Sequence, residues 1–287
     1  MLDNMKKNKK KALVFYHEGC SDGFGAAWAA WKKLGSKAEY VGLYPNDTPK
    51  QDFQGRDVYL VDICFNEEVL MALKKVANSL TVIDHHKTNV ERVKLATVTV
   101  FDLKHSGAIL SWNFFHPGKK APQLLRTIED IDIWNWKLPF TDEIVEYSSL
   151  IPMKFLAWSK LAAELDEPQA KRKIIEAGKI LIKDRKMRVE KMMKIGEEGA
   201  IDGHKAFIVN SPITVSHIGN YIYEHEKYPV AIIWSRRKDK IAVSLRSNGK
   251  VDVSTIAQKF GGGGHRASAA FTLPPSDFAT VLSFYKG

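Results

Sequence analysis

Between Ala12 and Phe101, short apolar runs rich in β-branched residues alternate with stretches of helical character, and this alternation narrows the fold more than any other feature of the chain. A pattern of this kind builds a parallel sheet whose successive strands are joined by covering helices. The runs Ala12–His17, Tyr40–Tyr44, Val58–Ile63, Leu80–Asp84 and Thr97–Phe101 read as strands, and Gly23–Leu34, Glu67–Ala77 and Gly107–Phe115 as helices. From 121 to 195 the chain reads as mostly helical, ending in a basic segment where Ile175, Ile182, Val189 and Met193 recur at roughly helical spacing. Beyond Gly196 mixed character returns, with strands expected at Ala206–Val209, Val230–Trp234, Ile241–Arg246 and Ala270–Leu273. Helices are expected there at Ser216–His225, Val253–Phe260 and Ser276–Phe284. At 287 residues the chain exceeds the ~100–200 of one ordinary domain. The expectation is an α/β protein: a parallel-sheet domain with helices on both faces over residues 12–170, a helical linker over 171–196, and a smaller mixed α/β domain over 197–287.

Composition and charge remove several function classes. No apolar stretch reaches the ~18 residues a membrane-spanning helix needs, so no membrane partner is expected. The lysines at 6, 7, 9, 10 and 11 precede only the short run Ala12 to Tyr16, which ends in His17-Glu18 and does not read as a secretory signal. Two cysteines, Cys20 and Cys64, make a structural disulfide unexpected and suit a cytoplasmic setting. The net charge of +10 is concentrated in the first eleven residues, five Lys against one Asp, and in Lys171 to Lys194, ten Lys or Arg against three acids. Such clusters suit a polyanionic partner, and a solvated tail with a solubilising helix face accounts for them as well. A homodimer stays open.

Three of the apolar runs end in residues that bind metals: ALVFYH leads into His17 and Asp22, DVYLVDICF contains Asp62, and LTVIDHH ends in Asp84, His85 and His86. Open parallel sheets bind ligands along the carboxyl ends of their strands, so these side chains should converge. A single Asp after a strand is commonly a helix cap. Three such endings, one of them Asp-His-His, are hard to explain as caps. Carboxylates and imidazoles together select divalent ions, with Mn²⁺, Mg²⁺ and Zn²⁺ the candidates.

These motifs resemble those of the DHH phosphoesterase family, named for the triplet present here as Asp84-His85-His86. HEGCSDGFGAAWAA resembles the family's first motif, Asp62 its second, IDHHKT its third and EDIDIWNW its fourth, where Asp130 or Asp132 would be the ligand. Asp132 is preferred because it stands two residues before Trp134. SLRSNGKVDVSTIAQKFGGGGHRASAAF resembles the family's associated substrate domain. The resemblance runs from His17 to Phe271. It implies one or two divalent ions, Mn²⁺ first, with Asp62 bridging, His17 on one ion and Asp22, His85 and Asp132 on the other. Asp84 would orient a ligating His, and His86 would contact the phosphate or leaving group. Arg246, Gly262, Gly263, Gly264, His265 and Arg266 would bind substrate phosphate, with the active site in the cleft between domains. The chain departs from the pattern at Cys20, where the family carries an additional Asp. A thiolate there would favour softer ions such as Zn²⁺, a weakly held or single metal is the alternative, and an inert buried thiol is equally compatible.

The expected activity is hydrolysis of short oligonucleotides or linear dinucleotides to mononucleotides. A single-strand exonuclease acting on longer substrates is the runner-up, and a nucleotide-binding regulatory module whose chemistry has lapsed is the non-enzymatic alternative. Weaker signals surround this core. Trp134 and Trp136 could stack on bases, although tryptophans flanking a helix more often pack in a core. Ser106 reads as a helix N-cap in a segment, His105-Ser106-Gly107, that could also line the site. Cys64 is assigned to packing, while His116, His204, His217 and His225 lie in no motif.

Overall fold

The computed structural model describes residues 11–44 and 47–286, so the lysines at 6, 7, 9 and 10 lie outside the described residues. The chain divides into two units, one ending at Leu181 and the other beginning at Ile182.

The first unit is built on five parallel strands, β1 (Ala12–His17), β2 (Ala38–Leu43), β3 (Asp57–Val61), β4 (Ser79–Asp84) and β5 (Val98–Phe101), in the order β2-β1-β3-β4-β5. Alternate residues of a strand face opposite sides of the sheet, and here both sides are buried. Ala12, Val14, Val61 and Ile83 pack under α1 (Ser21–Leu34) and α3 (Gly107–Phe115). Leu13, Phe15, Leu60 and Val82 pack against Leu70 and Leu73 of α2 (Glu67–Val76). Burial on both faces is why these strands read as continuous apolar runs.

Four further helices follow: α4 (Gln123–Asp132), α5 (Thr141–Ser148), α6 (Phe155–Asp166) and α7 (Pro168–Met193). Leu124, Ile128, Ile144, Trp158 and Leu161 from this group close a second layer over Phe24 and Trp28 of α1.

The second unit holds a six-stranded mixed sheet formed by β6 (Glu197–Ile201), β7 (His204–Asn210), β8 (Val230–Arg236), β9 (Ile241–Arg246), β10 (Gly263–His265) and β11 (Ser268–Leu273). Their order is β10-β11-β9-β8-β7-β6, with only β7 and β8 parallel. One face, including Val230 and Ile232, packs on α9 (Val253–Lys259) and α10 (Phe278–Phe284). The other, including Ala231 and Ile233, packs on α8 (Val215–Tyr221) and on Val189 of α7.

The structure corrects the sequence expectations at three places. β6 lies outside the expected strands, because Glu-Glu-Gly-Ala-Ile has no alternation; it is held as an edge strand by a two-residue turn at Asp202-Gly203, both left-handed, with φ 53° and 77°. The helix expected over Ser216–His225 stops at Tyr221 and continues as a π-turn, Ile222–Glu226. The glycine run, which lies in none of the expected strands, supplies Gly263 and Gly264 to β10, where they pair with Ala270 and Ala269 of β11.

Trp158 is 1% exposed and meets Phe24 edge-on, with ring centroids 4.8 Å apart. Trp158→Ala should lower unfolding free energy by about 3–5 kcal/mol in urea denaturation. A loss below ~1 kcal/mol would contradict the packing of the helical layer.

Candidate metal centre

The carboxyl ends of β1, β3 and β4 bring their motif residues together. His17 closes β1, Asp62 follows β3, and Asp84 closes β4 with His85 and His86 directly after it. Asp62 adopts the left-handed conformation at φ 58°, and its N–H donates to the Ile83 carbonyl at 2.8 Å. Few non-glycine residues tolerate that geometry, Asp among them. Opposite it, a Cβ on residue 107 would lie 2.6 Å from the Asp62 Cβ, so only glycine lets the start of α3 approach so closely. Ser106 caps that helix by accepting from the Ile109 N–H at 3.3 Å. Asp22 accepts from the Gly107 and Ala108 N–H groups at 2.7 and 3.0 Å, which fixes α1 to the positive end of α3.

His85 is the hub. Its Nε2 lies 3.2 Å from Asp62 Oδ1, 3.5 Å from Asp22 Oδ2 and 3.6 Å from Asp132 Oδ2. His17 Nδ1 is 3.6 Å from Asp62 Oδ2. Among the described residues of the first unit, three sets of potential ligand atoms each fall within 4.8 Å of one another: His17, Cys20 and Asp62; Asp22, His85 and Asp132; Asp62, Asp84 and His86. Asp84 Oδ1 accepts from the backbone N–H groups of His85 and His86 and holds the His86 ring through Nδ1 at 2.7 Å. The ring oriented by Asp84 is therefore His86, not one of the expected ligands.

Two supporting residues escaped the sequence reading. Asn89 donates to Asp84 Oδ2 at 2.5 Å, and Arg92 donates in turn to Asn89 Oδ1 at 2.5 Å. Only the position of Asn89, five residues beyond the Asp of the triplet, could have signalled this.

Burial raises a carboxyl's pKa and neighbouring charges decide whether it stays raised. Around Asp62 burial is outweighed by the His17 and His85 rings, and its carboxyl is held well below the usual carboxylate range. Asp22 goes up, through burial first and then the charges of Asp132 and Asp62. Burial lifts Asp132 to about 6 despite His85, with Asp62 adding to the rise. His85, lowered by burial, is carried up to about 10 by Asp62, Asp22 and Asp132. Desolvation and the same three carboxylates push the Cys20 thiol up, so it stays protonated unless a cation is present. The raised Asp22 and Asp132 carboxyls mark a site crowded with acids, and among the described residues Asp62 Oδ1 and Asp132 Oδ2 are buried without a well-aligned hydrogen-bond donor. A donor set of carboxylates and imidazoles with unsatisfied oxygens fits a divalent cation.

Asp130 and Asp132 part company. Asp130 accepts from the Lys137 and Leu138 N–H groups at 2.9 and 3.0 Å and from the Thr141 hydroxyl at 2.6 Å. It braces the loop after α4, and only Asp132 joins the cluster. Trp134 and Trp136 are not core residues, being 36% exposed each. His105 pairs with Glu129 at 2.8 Å, and the buried His116 donates through Nε2 to the Ala29 carbonyl at 2.9 Å. Cys64 is buried and donates to the Phe65 carbonyl.

In the second unit, Arg246 lies opposite Ser268, and Ser268 opposite His265, so the three sit side by side across β9, β11 and β10. Arg246 donates to Ser216 Oγ at 3.1 Å, and Arg266 donates to the Gly249 carbonyl at 2.7 Å. A Cβ on Gly262 would meet the Ala270 carbonyl at 2.1 Å, and one on Gly264 the Ser268 carbonyl at 2.6 Å, so β11 itself demands glycine here.

Asp130→Ala should cost about 2–4 kcal/mol in urea unfolding by leaving three donors without their acceptor. In metal-free protein at pH 7, Asp132→Asn should be at least as stable as wild type. The raised carboxyl favours the neutral form, so its ionisation above pH ~6 opposes folding and the amide removes that opposition. Equal losses in both variants would contradict the distinction.

Comparison with known proteins agrees with both units. Residues 207–287 match the DHHA1 domain family. Over 91% of its length the chain is 32% identical to an uncharacterized protein of Acanthamoeba polyphaga mimivirus, covering 67% of that protein. Among solved structures, the DHH domain of a protein assigned to a family of ribosomal proteins superposes with a TM-score of 0.60 at 14% identity, over 96% of this chain and 86% of that one. RecJ from Thermus thermophilus, in complex with Mn²⁺, gives 0.50 at 14% identity, over 96% of this chain and 51% of that one. A parallel sheet followed by a mixed sheet is thus the fold of these DHH-domain structures, and the chain is a DHH-fold protein with a C-terminal DHHA1 domain.

Proposed function

We propose that this chain is a metal-dependent phosphodiesterase that converts short oligonucleotides or linear dinucleotides to mononucleotides. The observation that carries the reading is the convergence of Asp22, Asp62 and Asp132 on the His85 ring, a buried acidic cluster that needs a cation. Asp62 and His17 would hold one ion and Asp22, His85 and Asp132 another, with Mn²⁺ favoured and Mg²⁺ or Zn²⁺ as alternatives. Cys20, within reach of His17 and Asp62, would tilt that first site towards a softer ion. Bound there, a divalent cation supplies Lewis acidity towards a phosphoryl oxygen and lowers the pKa of water.

The remaining groups do the positioning. Burial lowers the His86 pKa, but the Asp84 carboxylate outweighs it and carries the ring up to about 9, so His86 is charged at neutral pH. Anchored through Nδ1, it would donate from its other ring nitrogen to the phosphoryl or leaving oxygen, a contribution typically worth ~10²–10⁴-fold in rate. Residues 12–170 would form the catalytic part and 171–196 the connection. In residues 197–287, Arg246, His265 and Arg266 with the backbone of Gly262, Gly263 and Gly264 would grip a substrate phosphate. The fold shared with RecJ, whose solved structure holds Mn²⁺, and the DHHA1 domain over residues 207–287 support metal-dependent phosphoester hydrolysis.

Product analysis with di- to pentanucleotides of RNA and DNA, each with Mn²⁺, Mg²⁺ and Zn²⁺, tests the reading. Mononucleotide release is expected from the shortest substrates, and release from none of them would overturn it. Asp62→Asn, which keeps the shape and tolerates the left-handed backbone, should lower turnover by at least ~10³-fold while circular dichroism stays that of wild type. Retained turnover in that variant would refute the ligand assignment.

A further inference from the structure

We propose that the loop after α4 carries a nucleobase-stacking subsite formed by Trp134 and Trp136. The proposal deepens, and rests on, the reading of the chain as a phosphodiesterase of short oligonucleotides. α4 ends at Asp132, whose carboxylate faces the His85 ring, and the two tryptophans follow two and four residues later. Their rings meet edge to face, 5.1 Å apart at 87°, and both are 36% exposed.

Asp130 organises the loop that presents them. Its carbonyl accepts from the Asn135 and Trp136 N–H groups, and its carboxylate accepts from the two residues that follow. Trp134 and Trp136 both take the left-handed conformation, φ 55° and 52°, which bulky side chains rarely adopt. The hydrogen bonds to Asp130 hold that backbone in place, and it leaves both indoles exposed within four residues of Asp132.

The same loop borders a pocket of about 300 Å³ lined by Arg126, Glu129, Asp130, Asn135, Lys137 and Leu138. Arg126 Nε is buried without a hydrogen-bond partner among the described residues, and Lys137 is exposed. An exposed pair of indoles on a loop that also carries the Lys137 ammonium matches a nucleotide, which offers a flat apolar base and an anionic phosphate. The occupant is the base of the nucleotide next to the scissile bond. Stacking is indifferent to base identity, so the subsite would bind without reading sequence.

Steady-state hydrolysis of a diadenylate and of its counterpart lacking one base tests this with Trp134→Ala, Trp136→Ala and the corresponding Phe variants. Each Ala variant should raise KM for the diadenylate roughly 10–100-fold, with a much smaller change in kcat, and Phe should restore most of the affinity. On the abasic counterpart the same substitutions should shift KM by less than about threefold. An unchanged KM for diadenylate in both Ala variants overturns the subsite and leaves the phosphodiesterase reading standing. If wild type hydrolyses no dinucleotide, that reading fails, and equilibrium binding of diadenylate followed by intrinsic fluorescence decides the subsite separately. Quenching that disappears in Trp134→Phe or Trp136→Phe supports it; quenching unaltered in both, or absent in wild type, overturns it.

Discussion

Asp62 is the point on which the first unit turns. Its backbone takes a left-handed step at the end of β3, its N–H is tied to β4, and its carboxylate stands between His17, His85 and His86 while the glycine start of α3 presses against it. Two like charges about 4 Å apart repel by roughly 4 kcal/mol at an effective dielectric of 20. Asp22 and Asp132 share the His85 ring with Asp62, so burial and that repulsion raise both carboxyls, and hydrogen bonds elsewhere hold the arrangement together. Asp22 is anchored on α3, and the Asp84–His86 pair on Asn89. The apolar layers above and below the sheet supply the stability that lets such a cluster persist.

The site also shows how one motif divides labour among its members. Asp84 organises the backbone of its two histidines and one ring, His85 gathers carboxylates, and His86 stays charged on its anchor. In the fourth motif the division is between neighbours two residues apart, with Asp130 shaping the loop and Asp132 reaching the cluster. Both are acids on one helix, and only the direction in which α4 ends separates their roles.

Much of this was legible in the residues. Buried parallel strands announce themselves as unbroken apolar runs, and α3 and β9 fall within the expected limits, Gly107–Phe115 and Ile241–Arg246. The gathering of His17, Asp62 and His85 follows from where the parallel strands end, with Asp22 just beyond β1 on α1, whereas Asp132 on α4 was implied only by resemblance to the family's fourth motif. What stayed hidden depends on backbone geometry or on distant partners. An edge strand such as β6 needs no apolar alternation, and the Asp202-Gly203 pair that forms its turn was the overlooked signal. The glycine run pointed to phosphate binding because glycine's freedom is evident in sequence, whereas the carbonyls of β11 that exclude a side chain are not. Composition favours a core position for the tryptophans, and the left-handed backbone that leaves them at the surface has no local signature.

The central claim is that buried acids and imidazoles at the strand ends hold a divalent cation. Crystals of metal-free protein soaked in Mn²⁺, with anomalous diffraction collected near the manganese edge, address it directly. The account predicts a peak within coordinating distance of Asp62, and of His85 with Asp132 or of His17. Peaks confined to other parts of the surface, or none at saturating metal, would contradict it.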